Sequence, residues 1–155
     1  MVMTAVMGLT AHRMAAQSST PDYLQWYLGG TTGFTVFDWG ETPDSYGVHG
    51  AYFFNPKYGA GLVFHKRFDG MYSQSILAPT FFAHLGSSYS KWFFPVKVGL
   101  GIEFNDRYIA CYTSAGVAYR PQPWISIGIN ADFASAFDYD IEDGLGLSLC
   151  IGLHF

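Results

Sequence analysis

From Tyr23 onward, large apolar residues fall on alternate positions in segment after segment, and turn-forming residues interrupt them about every 12 to 18 positions. The last segment shows the pattern most plainly. Leu145, Leu147, Leu149, Ile151, Leu153 and Phe155 hold the odd positions, and Gly146, Ser148, Cys150, Gly152 and His154 the even ones. A period of two sends the two sets to opposite faces of a strand. One face is bulky and apolar, the other small and polar.

The same reading predicts strands over about Tyr23–Phe37, Tyr46–Phe54, Tyr58–Phe68, a segment ending at Leu85, Trp92–Phe104, Tyr108–Tyr119 and Trp124–Tyr139. With the closing segment this makes eight. Asn55-Pro56-Lys57 and Pro121-Gln122-Pro123 read as tight turns, because proline fixes φ and donates no ladder hydrogen bond. Asp69-Gly70 is the strongest hairpin signal. A two-residue loop there pairs Phe68 with Met71 and switches the outward positions from even numbers to odd. The residues agree: Leu62, Phe64 and Phe68 precede the loop, and Leu77, Phe81 and Leu85 follow it. Pro79 sits awkwardly in the fourth strand, since proline is unwelcome inside a sheet.

Charge decides which face meets which medium. Of the 8 basic and 12 acidic residues, Lys66 alone falls on the bulky face within a strand. The others lie in turns, in the N-terminal arm, at strand ends or on the small-residue face. A soluble barrel would scatter Lys and Glu over its exterior. A basic residue facing lipid costs about 2–4 kcal/mol at mid-bilayer and far less near the interface, which is where Lys66 falls, beside a hairpin tip. The bulky face is therefore expected to meet lipid, and the small one a narrow lumen.

Composition agrees. Only 13 % of residues are charged and 19 % are aromatic, yet no run approaches the roughly 20 apolar residues that a spanning helix needs. A net charge of −4 without a basic cluster excludes a nucleic-acid partner. Cys111 and Cys150 are too few for a disulfide framework or a metal site, and fall on opposite faces of non-adjacent strands. Residues 1–20 read either as the remnant of a secretory signal, with an apolar run at Val2–Ala11 and small residues after it, or as an N-terminal arm. Residues 21–155 form one barrel domain.

With the N-terminus taken as periplasmic, the links on that side carry Lys57, Lys91 and Arg120, and the opposite links are mostly acidic. Aromatics crowd both ends of the strands: Trp39, Tyr46, Phe68, Tyr72, Phe104, Tyr108 and Tyr139 at one end, and Trp26, Phe54, Tyr58, Trp92, Tyr119, Trp124 and Phe155 at the other. Alternation, turns, girdles and terminal strand together resemble small outer-membrane barrels of the OmpX type, the OmpA transmembrane domain and, most of all, the outer-membrane β-barrel domain proteins common in Bacteroidetes. The resemblance implies an all-β, eight-stranded antiparallel up-and-down transmembrane β-barrel in a bacterial outer membrane. It implies a monomer among outer-membrane lipid and lipopolysaccharide. It also implies a signal for the barrel-assembly machinery in Leu147, Leu149, Ile151, Leu153 and Phe155.

Eight strands enclose just enough room for side chains. The inward face offers a polar network of Lys97, Glu103, Asp132, Asn130, Tyr112, His65, His84 and His154. Lys97 and Asp132 are expected to be joined directly or through Tyr112, Asn130 or Ser148, because a lone charge in a dry interior is costly. Such a network reads as a plug, so the expected role is structural or surface-interacting, with no catalytic residue and no cofactor. The alternatives are a narrow channel and a lipid A-modifying enzyme. A deacylase-like His-x-Ser pair is missing after His49, His65 and His84. An acyltransferase-like rim would take His49 or His65 with Asp44 and Ser45 or Ser73. No metal site is expected, although Asp138, Asp140, Glu142 and Asp143 offer an oxygen-rich stretch for Mg²⁺ or Ca²⁺ that reads equally as a solvated acidic turn.

Overall fold

A computed structural model describes residues 24–35, 44–69, 72–86, 90–105, 107–137 and 144–155. Eight strands account for nearly all of them: β1 (Trp26–Thr35), β2 (Asp44–Phe53), β3 (Tyr58–Asp69), β4 (Tyr72–Leu85), β5 (Trp92–Glu103), β6 (Ile109–Gln122), β7 (Ile125–Ala136) and β8 (Gly144–His154). Each pairs antiparallel with the next, and β1 pairs with β8, so the sheet closes into a barrel. Closure leaves no strand edge unpaired, which is what a β-structure in hydrocarbon requires.

Alternation sets the cross-section. Leu100 on β5 and Ile129 on β7 are 64 % and 62 % exposed, while Lys97 and Glu103 on β5 are 2 % and 1 % exposed. Apolar exterior around polar interior inverts the order of a soluble protein, and such an exterior belongs in lipid. Ring pairs mark the two ends of this belt. Trp26–Tyr52 and Trp92–Tyr119, with centroids 5.1 and 4.9 Å apart, lie at the end that holds the chain termini. Tyr46–Phe68, at 5.2 Å, lies at the other. Lys66 does face outward, and its ammonium rests 4.6 Å from the centre of the Phe68 ring.

The prolines are accommodated where a ladder is interrupted. Between Leu77↔Ile102 and Thr80↔Gly99, the β4–β5 ladder skips the positions around Pro79. The β5–β6 ladder likewise skips Pro95, between Phe93↔Ala118 and Val96↔Ala115. Each proline withholds its missing donor from one neighbour and keeps its pairing to the other, Leu62 and His84 respectively.

Two sequence expectations need correction. Phe68 pairs with Ser73, not Met71, and Asp69 pairs with Tyr72, so Asp69 belongs to the ladder, and residues 70 and 71 lie outside the described ones. An Asp-Gly loop and a Gly-first loop share the same glycine, and both switch the outward parity. Second, β6 does not stop at Tyr119 but continues through Gln122, and the turn falls at Pro123–Trp124. Between Tyr119↔Ile127 and Gln122↔Ile125, β6 carries one more residue than β7. This is a β-bulge, a place where proline is tolerated, and Pro121 occupies it. The acidic stretch Asp138–Asp143 and residues 1–20 lie outside the described residues.

Candidate functional site: the barrel lumen

The lumen fills in three tiers. Nearest the chain termini is a cluster of rings: Tyr27, Phe53, Phe82, His84, Phe93 and His154. His84 lies at its centre, with centroid distances of 4.4 Å to Phe53, 4.6 Å to Phe93 and 5.9 Å to His154. Tyr27 reaches in from β1, 5.0 Å from the His154 ring. A Cβ on Gly152 would stand 2.2 Å from a carbon of the Tyr27 ring, and one on Gly29 would stand 2.6 Å from its hydroxyl. The two glycines thus make the room in which this ring lies.

The middle tier is polar and splits into two groups. In the first, the Tyr27 hydroxyl is 2.9 Å from His49 Nε2 and 3.6 Å from the Cys150 thiol, and Lys97 Nζ is 3.4 Å from the same His49 nitrogen. In the second, Asp132 accepts a hydrogen bond from the Tyr112 hydroxyl at 2.8 Å and another from Ser148. The His65 ring lies 5.4 Å from that of Tyr112. The third tier, toward the opposite mouth, holds Arg67, Gln74 and Glu103, all buried. There Glu103 accepts from the Ser75 amide at 3.3 Å.

All eight residues named from the sequence for the lumen point inward and are buried. Among the described residues no hydrogen bond joins Lys97 directly to Asp132: Lys97 turns to His49, and Asp132 to Tyr112 and Ser148. The register explains the separation. Lys97 pairs with Ser114 and Ser114 with Asp132, so a serine of β6 stands between the two charges in their row. Asn130 is buried without a hydrogen-bond partner for its amide. Cys150 lies within reach of both Tyr27 and His49.

Of the residues read as an acyltransferase-like rim, the side chain of Asp44 lies outside the described ones. His49 and His65 lie inside the wall, as does Ser45, whereas Ser73 falls on the outward face of β4. The structure instead brings together a serine and a histidine that pattern reading did not connect, with Ser126 Oγ 3.0 Å from His154 Nε2. Inward parity on both strands was the available signal. Ser126 is only 4 % exposed. Among the described residues no carboxylate bonds to His154, the partner that orients the imidazole in a Ser-His-Asp arrangement.

No protein-family model matches the chain, and no curated protein matches it. Solved structures do. The N-terminal β-barrel domain of Pseudomonas aeruginosa OprF superimposes with a TM-score of 0.65 at 15 % identity, covering 85 % of this chain and 98 % of that one. The fold is that of an outer-membrane β-barrel. Neisserial surface protein A gives 0.59 at 8 % identity, over 85 % of this chain and 97 % of that one. The outer membrane enzyme PagL gives 0.52 at 12 %, over 83 % and 99 %. A de novo designed barrel, TMB2.3, scores 0.60 at 9 % identity, over 88 % and 98 %. The barrel fold is thus shared by chains that agree in few residues.

Proposed function

We propose that this chain is an integral protein of the bacterial outer membrane whose barrel is a closed wall, with a structural or surface-interacting role. The supporting observation is the lumen itself. Rings fill one tier, two hydrogen-bonded groups the next, and a charged layer the third, so buried side chains occupy the lumen at each level. The apolar belt faces the lipid, with lipopolysaccharide in the outer leaflet. The chain works as a monomer and is delivered by the assembly machinery through β8. The filled lumen favours this reading over a narrow channel.

The decisive experiment pairs two measurements on the outer-membrane fraction. Unheated protein should migrate faster on SDS gels than boiled protein, as closed barrels do, and in planar bilayers it should give a flat current trace. Stepwise conductance would overturn the closed wall, and unchanged migration on heating would overturn the barrel assignment. Lipid A mass spectra from cells with and without the protein should coincide. A shifted acyl pattern would restore the enzyme.

A further inference from the structure

At the terminus end, the lumen opens into a small recess lined by Lys57, His84, Gly86, Ser90, Phe93 and Arg120. Its walls are pinned by main-chain hydrogen bonds. The His84 amide donates to the Lys57 carbonyl and the Arg120 amide to the Lys91 carbonyl, each at 2.7 Å. Gly86, at φ +148°, turns the wall where a side chain would be strained. Arg120 lies at the bulge of β6, and its guanidinium is held 4.8 Å from the centre of the Phe93 ring. Its Nε is buried and has no acceptor. Neither Arg120 nor Lys57 has an ion-pair partner among the described residues.

The geometry points to an anion site in this recess, of a size for one tetrahedral oxyanion, which takes a phosphate group. Two cationic side chains with no carboxylate against them among the described residues repel a metal ion and attract an anion. A planar fork held against a ring, with a desolvated donor still unused, suits two oxygens of one phosphate better than a diffuse counter-ion. Lys57 at the open side adds charge without fixed geometry. The phosphate comes either from a phospholipid headgroup of the adjoining leaflet or from solution, and the same chemistry serves both.

The test uses the full chain folded in an uncharged maltoside detergent, titrated with inorganic phosphate and followed by the ring resonances of His84. Phosphate should shift them saturably, and chloride at equal ionic strength should not. Arg120→Gln should weaken the response about tenfold, the loss expected for one charge-assisted hydrogen bond. Lys57→Gln should weaken it less, and Arg107→Gln, exposed at the opposite end, should leave it unchanged. Heat-modifiable migration establishes that each variant is folded, and Lys57→Gln carries the comparison if Arg120→Gln does not fold. In phosphatidylcholine vesicles, disappearance of the response identifies a lipid headgroup as the occupant, and persistence identifies soluble phosphate. No saturable shift in detergent, or an equal shift in folded Arg120→Gln, overturns the site.

Discussion

Tyr27 touches more of the lumen than its position on β1 suggests, because two glycines let it lie flat across the wall. Gly152→Ala would place a methyl group inside the space of its ring. Overpacking of this kind costs about 1–3 kcal/mol, which urea unfolding of the vesicle-inserted barrel would register. Gly30→Ala is the internal control: it faces lipid, nothing approaches its Cβ position closer than 3.8 Å, and the change should stay within about 0.5 kcal/mol. Asp132 offers a second contrast. Asp132→Ala leaves two buried hydroxyls, Tyr112 and Ser148, without their acceptor, a loss of about 2–5 kcal/mol. Asn130→Ala removes an amide that bonds to nothing, so it should cost clearly less in the same assay. Equal losses would show that the hydrogen bonds of Asp132 contribute no more than its packing. Sequence pattern gave the orientation of both residues and offered Tyr112 and Ser148 as partners of Asp132, but not that Lys97 turns to His49. Parity is a property of one strand, whereas partner choice depends on how rows line up across three.

At the scale of the strand, the pattern was legible because its period is short and unbroken. A bulky residue on the inward parity needs room made for it, as Gly29 and Gly152 make it for Tyr27. What the pattern obscured were places where two local rules give the same residues. Pro121 reads as a turn former, yet it occupies a bulge that lets β6 run on to Gln122. Gly70 serves a loop over 69–70 or over 70–71 alike, and only the pairing of Asp69 with Tyr72 separates them. The exterior makes a prediction at this scale. Val98 lies in the middle of β5 and is widely exposed, so Val98→Lys should destabilise the barrel by about 2–4 kcal/mol in lipid. Lys66→Leu, near the end of β3, should change stability little. Equal tolerance of both in vesicle unfolding would mean that the belt does not lie in hydrocarbon.

For the whole molecule, the two ends differ in charge as well as in packing. Lys57 and Arg120 border the mouth at the chain termini, and the links at the opposite mouth are acidic in sequence. With the terminus end periplasmic, Asp69→Cys should react with a membrane-impermeant thiol reagent on intact cells, and Lys57→Cys only after the cells are opened. The reverse labelling would turn the molecule over. Cys111 and Cys150 complicate the background little, because neither is widely exposed.

Closure of the ladder between β1 and β8 also has a consequence in time. The Tyr27 hydroxyl and the Cys150 thiol meet across 123 positions of chain, whereas every other seam joins strands that follow one another. Contacts so remote are slow to form, since a long loop must close before any of them is rewarded. Until then β1 presents a row of unpaired amides and carbonyls to whatever strand arrives first. A synthetic peptide with the sequence of β8 should therefore delay folding when it is added at the start, and do nothing to a barrel already shut.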